Sequence, residues 1–146
     1  MQTGFWEIRG IRRYMYYTYE DYLKMCKTID IETCLKIHSM MVKEIGTDCD
    51  AIELYDEIVE KAVEYTLYRA YWTIKDKEWK LDNDLARTAK HDSIIIKFNQ
   101  LSRYLKIQGK EAKWKDMLDD MYDGNNRKII GDMACFIAYL QAINGR

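Results

Sequence analysis

The chain has 146 residues, 48% hydrophobic and 32% charged, with no proline and a formal net charge of -1. That length fits one domain with its own core, and the composition excludes a disordered chain. The charge balance implies no strongly charged partner, and the absence of a long apolar run or a basic leader before an apolar stretch excludes a membrane span and a secretory signal, so a cytoplasmic chain is expected.

Residues 1–10 carry no helical pattern and read as a loose N-terminal arm. A first helix is predicted over Ile11–Lys27, with a break near Thr18, whose hydroxyl precedes the acidic Glu20 and Asp21. Five tyrosines crowd this segment. Asp30 is placed to cap a helix over Ile31–Ile45 that ends at Gly46. Its apolar face is Ile31, Cys34, Met41 and Ile45, with His38 on the same side, as a core histidine.

Asp48 or Asp50 caps a third predicted helix, Ala51–Lys75. Ile52, Tyr55, Val59, Ala62, Val63, Thr66 and Ala70 repeat at helical spacing along it. Its first half is acidic; its second half is basic and aromatic. Residues 76–82 read as a polar connection. A fourth helix is predicted from Asp82 or Asp84 to Gln108, closed by Gly109. Ile94, Phe98, Leu101 and Leu105 form one stripe on it, and Leu85, Ala89, Ile96 and Ile107 form a second, nearly opposite. Two apolar stripes predict a helix packed on two sides, hence a central one. Glu111–Met121 is a short helix holding Trp114, Asp123–Asn126 is a turn by composition, and Asn126–Ile143 is a last, mostly apolar helix, also expected to be central. No alternating pattern of useful length predicts a strand. The expected fold is all-α, a single irregular bundle of about five to six helices forming one domain.

Charge is segregated along the chain. Residues 1–27 sum to +2, residues 28–64 to -7, residues 65–115 to +6 and residues 116–146 to -2. Three readings account for this. The acidic and basic stretches neutralise one another within the fold, or they meet between two copies in a homodimer, or the basic stretch docks an acidic partner such as nucleic acid. The cations for that last role are Arg69, Lys75, Lys77, Lys80, Lys106, Lys110, Lys113 and Lys115, interleaved with Trp72, Trp79, Tyr104 and Trp114. Single-strand binders combine cations and aromatics in this way. The helices of residues 110–146 flank a turn, but the second is too apolar for a recognition helix.

The parts of most catalytic sites are missing. The chain has two histidines, neither with a glutamate three residues before it, and four cysteines, none spaced for zinc. No phosphate-cradling glycine loop and no nucleophile elbow occurs. No metal, cofactor or catalytic residue is expected, and the cysteines read as free thiols. One polar constellation stands out: Arg87, His91, Asp92, Asn99 and Arg103 on the fourth helix, with Arg127 and Asp132 on or near the last, read either as a solvated helix face with an ion-pair network or as a pocket. Arginines there could fork a carboxylate or phosphate in a pocket between the two helices. Asp132 reads as a surface residue paired with Lys128.

Two segments resemble a known family. These are Arg87-Thr88-Ala89-Lys90-His91-Asp92 with Asn99-Gln100-Leu101-Ser102-Arg103-Tyr104, and Asn126-Arg127-Lys128-Ile129-Ile130-Gly131-Asp132-Met133-Ala134-Cys135 with Asn144-Gly145-Arg146. They are similar to an uncharacterised family of short helical proteins from Gram-positive gut bacteria, often carried on mobile elements. The resemblance covers residues 60–146. It implies a bacterial, cytoplasmic setting and a mobile-element role, and it supplies no catalytic residue. The sequence as a whole points to a non-enzymatic interaction or regulatory module that associates with itself or with another protein. The second reading is a nucleic-acid-binding accessory protein. The third is an enzyme or a receptor for a small anion near Arg87, His91 and Arg103.

Overall fold

The computed structural model describes residues 31–123 and 129–143. The expected arm at 1–10, the helix Ile11–Lys27, the Asp30 cap, the Gly124–Asn126 turn and Arg127 lie outside them. The described residues form six helices packed together in a bundle, with no strand among them.

The first described helix, α1, is Ile31–Ile45, and it ends where its periodicity predicts. Cys34, Ile37, Met41 and Ile45 are its buried stripe. Gly46 ends it at φ +54°, in the left-handed region where a side chain would be strained, and donates its N–H to the Val42 carbonyl at 3.0 Å. Asp48, rather than Asp50, caps the next helix, α2, Cys49–Thr73. Its carboxylate accepts from the N–H groups of Asp50 and Ala51 at 3.0 and 3.2 Å, satisfying two of the donors a helix start leaves open.

Helix α2 is the hub of the bundle and packs along both α4 and α6. Its buried positions, Ala51, Ile58, Ala62, Val63, Tyr65, Thr66 and Leu67, surround much of the helix instead of forming one stripe. Ile52, expected on the inner face, is exposed. The expected connection at 76–82 is itself a helix, α3, Lys77–Asp82, because Asp76 caps it by accepting the Trp79 N–H at 2.8 Å. None of its residues is buried.

Helix α4 is Asp84–Ile107. Its stripe of Ile94, Phe98, Leu101 and Leu105 is buried as predicted. The second stripe is not: Leu85 is 84% exposed, Ile96 53% and Ile107 75%, and Ala89 is exposed with them. By the described residues the helix is covered on one side only, so the expectation that it is central is corrected. The helix closes in a Schellman turn, with the Gly109 N–H bonded to the Lys106 carbonyl and the Lys110 N–H to that of Leu105.

Helix α5, Lys113–Asp123, starts two residues later than predicted and buries Trp114 and Leu118. One carboxylate on α1 fixes it: Glu44 accepts the Ala112 N–H at 2.9 Å and the Trp114 indole N–H at 2.8 Å. Helix α6 is Ile129–Ile143. It touches α1, α2, α4 and α5, and residues 129–138 are buried without a break. This is the central apolar rod that its composition predicts.

Candidate functional site

Three places on this scaffold gather polar or exposed apolar groups. The first lies where α2 meets α6. Asp132 was expected at the surface beside Lys128. It is instead 0% exposed and pairs with the Arg69 guanidinium at 3.2 Å. The reason is the setting of α6: a helix covered on all sides offers residue 132 no wet face. Arg69 also reaches the Cys135 sulfur at 3.6 Å. Burial works against its positive charge, but Cys135, Tyr65 and Asp132 around it hold its pKa above the ordinary arginine value. Gly131 makes the junction fit. A Cβ at that position would meet the Tyr65 hydroxyl at 2.8 Å and Arg69 Nη1 at 3.3 Å. The Tyr65 hydroxyl is pushed up from its usual value, mainly by burial. The arrangement is a closed ion pair, with its cation already committed to a carboxylate and a thiol.

The second place is the corner formed by the end of α2, by α3 and by the start of α4. Tyr68, Tyr71, Trp72 and Trp79 pack there, with Trp79 against each of the other three at 5.4–6.1 Å between ring centroids. The chain's own cations lie over these rings. Lys75 is 4.4 Å from the centre of Tyr71, Arg87 4.8 Å from Trp72 and Lys90 5.2 Å from Tyr68. Arg87 also meets Asp84 at 3.4 Å, while its buried Nε has no hydrogen-bond partner.

The residues expected to form one anion pocket are thus spread along α4. His91 faces Asp92 at 3.5 Å and packs its ring 6.0 Å from Tyr65. Asn99 and Arg103, with Ser102, Lys106 and Ile107, line a separate open groove of about 410 Å³. At a 1.5 Å rise per residue, Arg87 and Arg103 stand about 24 Å apart along the axis. A second open groove, of about 330 Å³, lies between α2 and α4 and is lined by Lys61, Glu64, Ala86, Ala89, Lys90 and Ser93.

The basic residues divide as well. Lys75, Lys77 and Lys80 sit at the aromatic corner; Lys106 sits in the last turn of α4, about 33 Å from its start by the same rise, with Lys110, Lys113 and Lys115 beyond it. Arg69 is spent on Asp132, Lys113 meets Glu111 at 3.7 Å and Lys115 meets Asp119 at 2.6 Å. Of the interleaved aromatics, Trp114 is wholly buried, and Tyr104 donates its hydroxyl to Asp48 at 2.8 Å. Lys97 joins the basic stretch to the acidic one across helices, meeting Glu57 at 2.7 Å. Among the described residues, no group of three or more His, Cys, Asp or Glu side chains could hold a metal ion, and no helix is long and apolar enough to cross a membrane.

The third place is the outward face of α4. Leu85, Ile96 and Ile107 follow one another at intervals of eleven residues, with Ala89, Asp92 and Arg103 beside them. Eleven residues make three helical turns, so the three apolar side chains stand nearly in line along the axis. Periodicity found this stripe but placed it in the core; its exposure is what marks it as a surface. Comparison of the chain with protein-family models, with curated proteins and with solved structures finds no match in any of the three.

Proposed function

We propose that this chain is a non-enzymatic helical interaction module that associates with itself through the outward face of α4. The observation that carries this is the line of Leu85, Ile96 and Ile107, each more than half exposed. Single exposed hydrophobics are ordinary on protein surfaces. Three in line over about 33 Å of one helix, with the exposed Ala89, Asp92 and Arg103 between them, give one face repeated apolar anchor points rimmed by charge, and such faces mark contact surfaces. The resemblance of residues 60–146 adds a bacterial mobile-element setting to the proposal. A nucleic-acid role on residues 65–115 has less support, since the cations fall in two groups and the chain's own side chains cover several of the aromatic rings.

Sedimentation at micromolar concentration tests this directly. The wild-type chain is expected to run as a dimer. Ile96→Glu, at an exposed position, is expected to run as a monomer with an unchanged helical circular-dichroism spectrum. A wild-type monomer at every concentration, or a dimer indifferent to Ile96→Glu, overturns the proposal.

A further inference from the structure

We infer that two copies pair along α4 in antiparallel fashion about a two-fold axis passing beside Ile96; this rests on the self-association proposed above. The spacing is symmetric about that residue. Leu85 lies eleven positions before Ile96 and Ile107 eleven positions after it. Turning a second copy end for end therefore sets Leu85 against its Ile107, Ile96 against its Ile96, and Ile107 against its Leu85. Every apolar side chain of the strip meets another. An eleven-residue repeat drifts little from a straight helix, so contact persists along the full length.

Charge decides the direction. Asp92 and Arg103 flank the strip and are both exposed. In a parallel pair each would face its own copy, acid against acid and arginine against arginine. In the antiparallel pair Arg103 stands opposite Ala89, whose small side chain leaves room for the arginine stem. The guanidinium then lies one helical turn from Asp92 of the second copy. The two-fold makes this contact twice, and opposite charges so placed set orientation and register more than affinity. The contact uses one helix from each copy, which places it at the small end of specific interfaces.

Cysteine pairing in a Cys26→Ser/Cys49→Ser background of the full chain reads the geometry. Under mild oxidation, Ile96→Cys alone is expected to form a covalent dimer. Leu85→Cys and Ile107→Cys are expected to cross-link when the two variants are mixed, and Leu85→Cys not to link to itself. A charge reversal provides the second test. Asp92→Arg or Arg103→Asp alone is expected to weaken the dimer by about tenfold, from two exposed pairs lost together, and the double variant Asp92→Arg/Arg103→Asp to restore it. A dimer in which Leu85→Cys links to itself, or in which the double reversal restores nothing, overturns the antiparallel arrangement and leaves self-association standing. A monomer throughout overturns both, and leaves the strip to residues 1–30 or to an unlike protein.

Discussion

A carboxylate with no exposure survives in an apolar helix only if a cation reaches it, and Arg69 does so for Asp132. Cutting one partner away strands the other charge in the interior. Asp132→Ala is therefore expected to destabilise the fold by about 3 kcal/mol, read as a lower urea midpoint. Replacing both partners with apolar side chains of similar size, Arg69→Met with Asp132→Leu, is expected to recover most of that loss, because the desolvation cost disappears with the charges. His38 gives a titratable counterpart. Its Nε2 lies 2.6 Å from the Tyr55 hydroxyl, and burial lowers its pKa below 6.5. The folded state therefore prefers the neutral ring. Above pH 6.5 the ring is neutral in both folded and unfolded chains, and its contribution is complete. As pH falls below 6.5 the unfolded chain takes up the proton first, and stability is lost until the folded ring titrates too. Urea unfolding at pH 7.5 and at pH 5 is expected to show this loss, and His38→Gln to reduce it. Neither role could be assigned fully from the sequence. Helical spacing placed His38 on the inner side correctly, but it put Asp132 outside, because it treated the last helix as having one wet face.

Among the elements, α5 depends most on a single contact. Glu44 satisfies both the Ala112 N–H and the Trp114 indole. It thereby helps hold Ala112 at φ 52°, a left-handed backbone uncommon for residues other than glycine. Glu44→Ala leaves two donors without this acceptor and is expected to cost about 2 kcal/mol, measured by urea unfolding. Trp114 fluorescence is expected to shift to the red as the indole meets water. Glu44→Gln keeps an acceptor oxygen and is expected to lose less. The end of α1 and the burial of α6 were legible because a single stripe stopped by a glycine and a nearly all-apolar run leave little ambiguity. Helix α3 was not, since its start depends on one Asp76 side chain turning back to a backbone N–H, and six residues with only Trp79 and Leu81 apolar are too short a run to show a period. The stripes of α4 were both legible as stripes. Which one faces the core was not, because an exposed stripe and a buried stripe have the same spacing in one chain.

For the molecule as a whole, the helical class of the described residues follows from the absence of proline and the recurrence of apolar positions every three to four residues, whereas their division into six helices does not, since α3 was expected as a connection. The identity of the hub does not. Helix α2 carries more acid and more tyrosine than a buried helix usually does, yet α4 and α6 close over it. The candidate docking face was visible only in pieces: its residues could be named from the sequence, but their solvent exposure is a property of the assembled bundle. The charge asymmetry likewise spread over local pairs, the aromatic corner and the far end of α4, where a linear count had suggested one continuous basic region.

The all-round cover of α6 bears on how the chain is made. Ile129–Ile143 leaves the ribosome after every other described helix, and until it arrives the inner sides of α2, α4 and α5 lack the rod they close upon. A nascent chain halted before Ile129 holds greasy surface open to its neighbours, the state in which collapsed intermediates aggregate and chaperones bind. Productive folding is thus tied to the arrival of the most apolar segment.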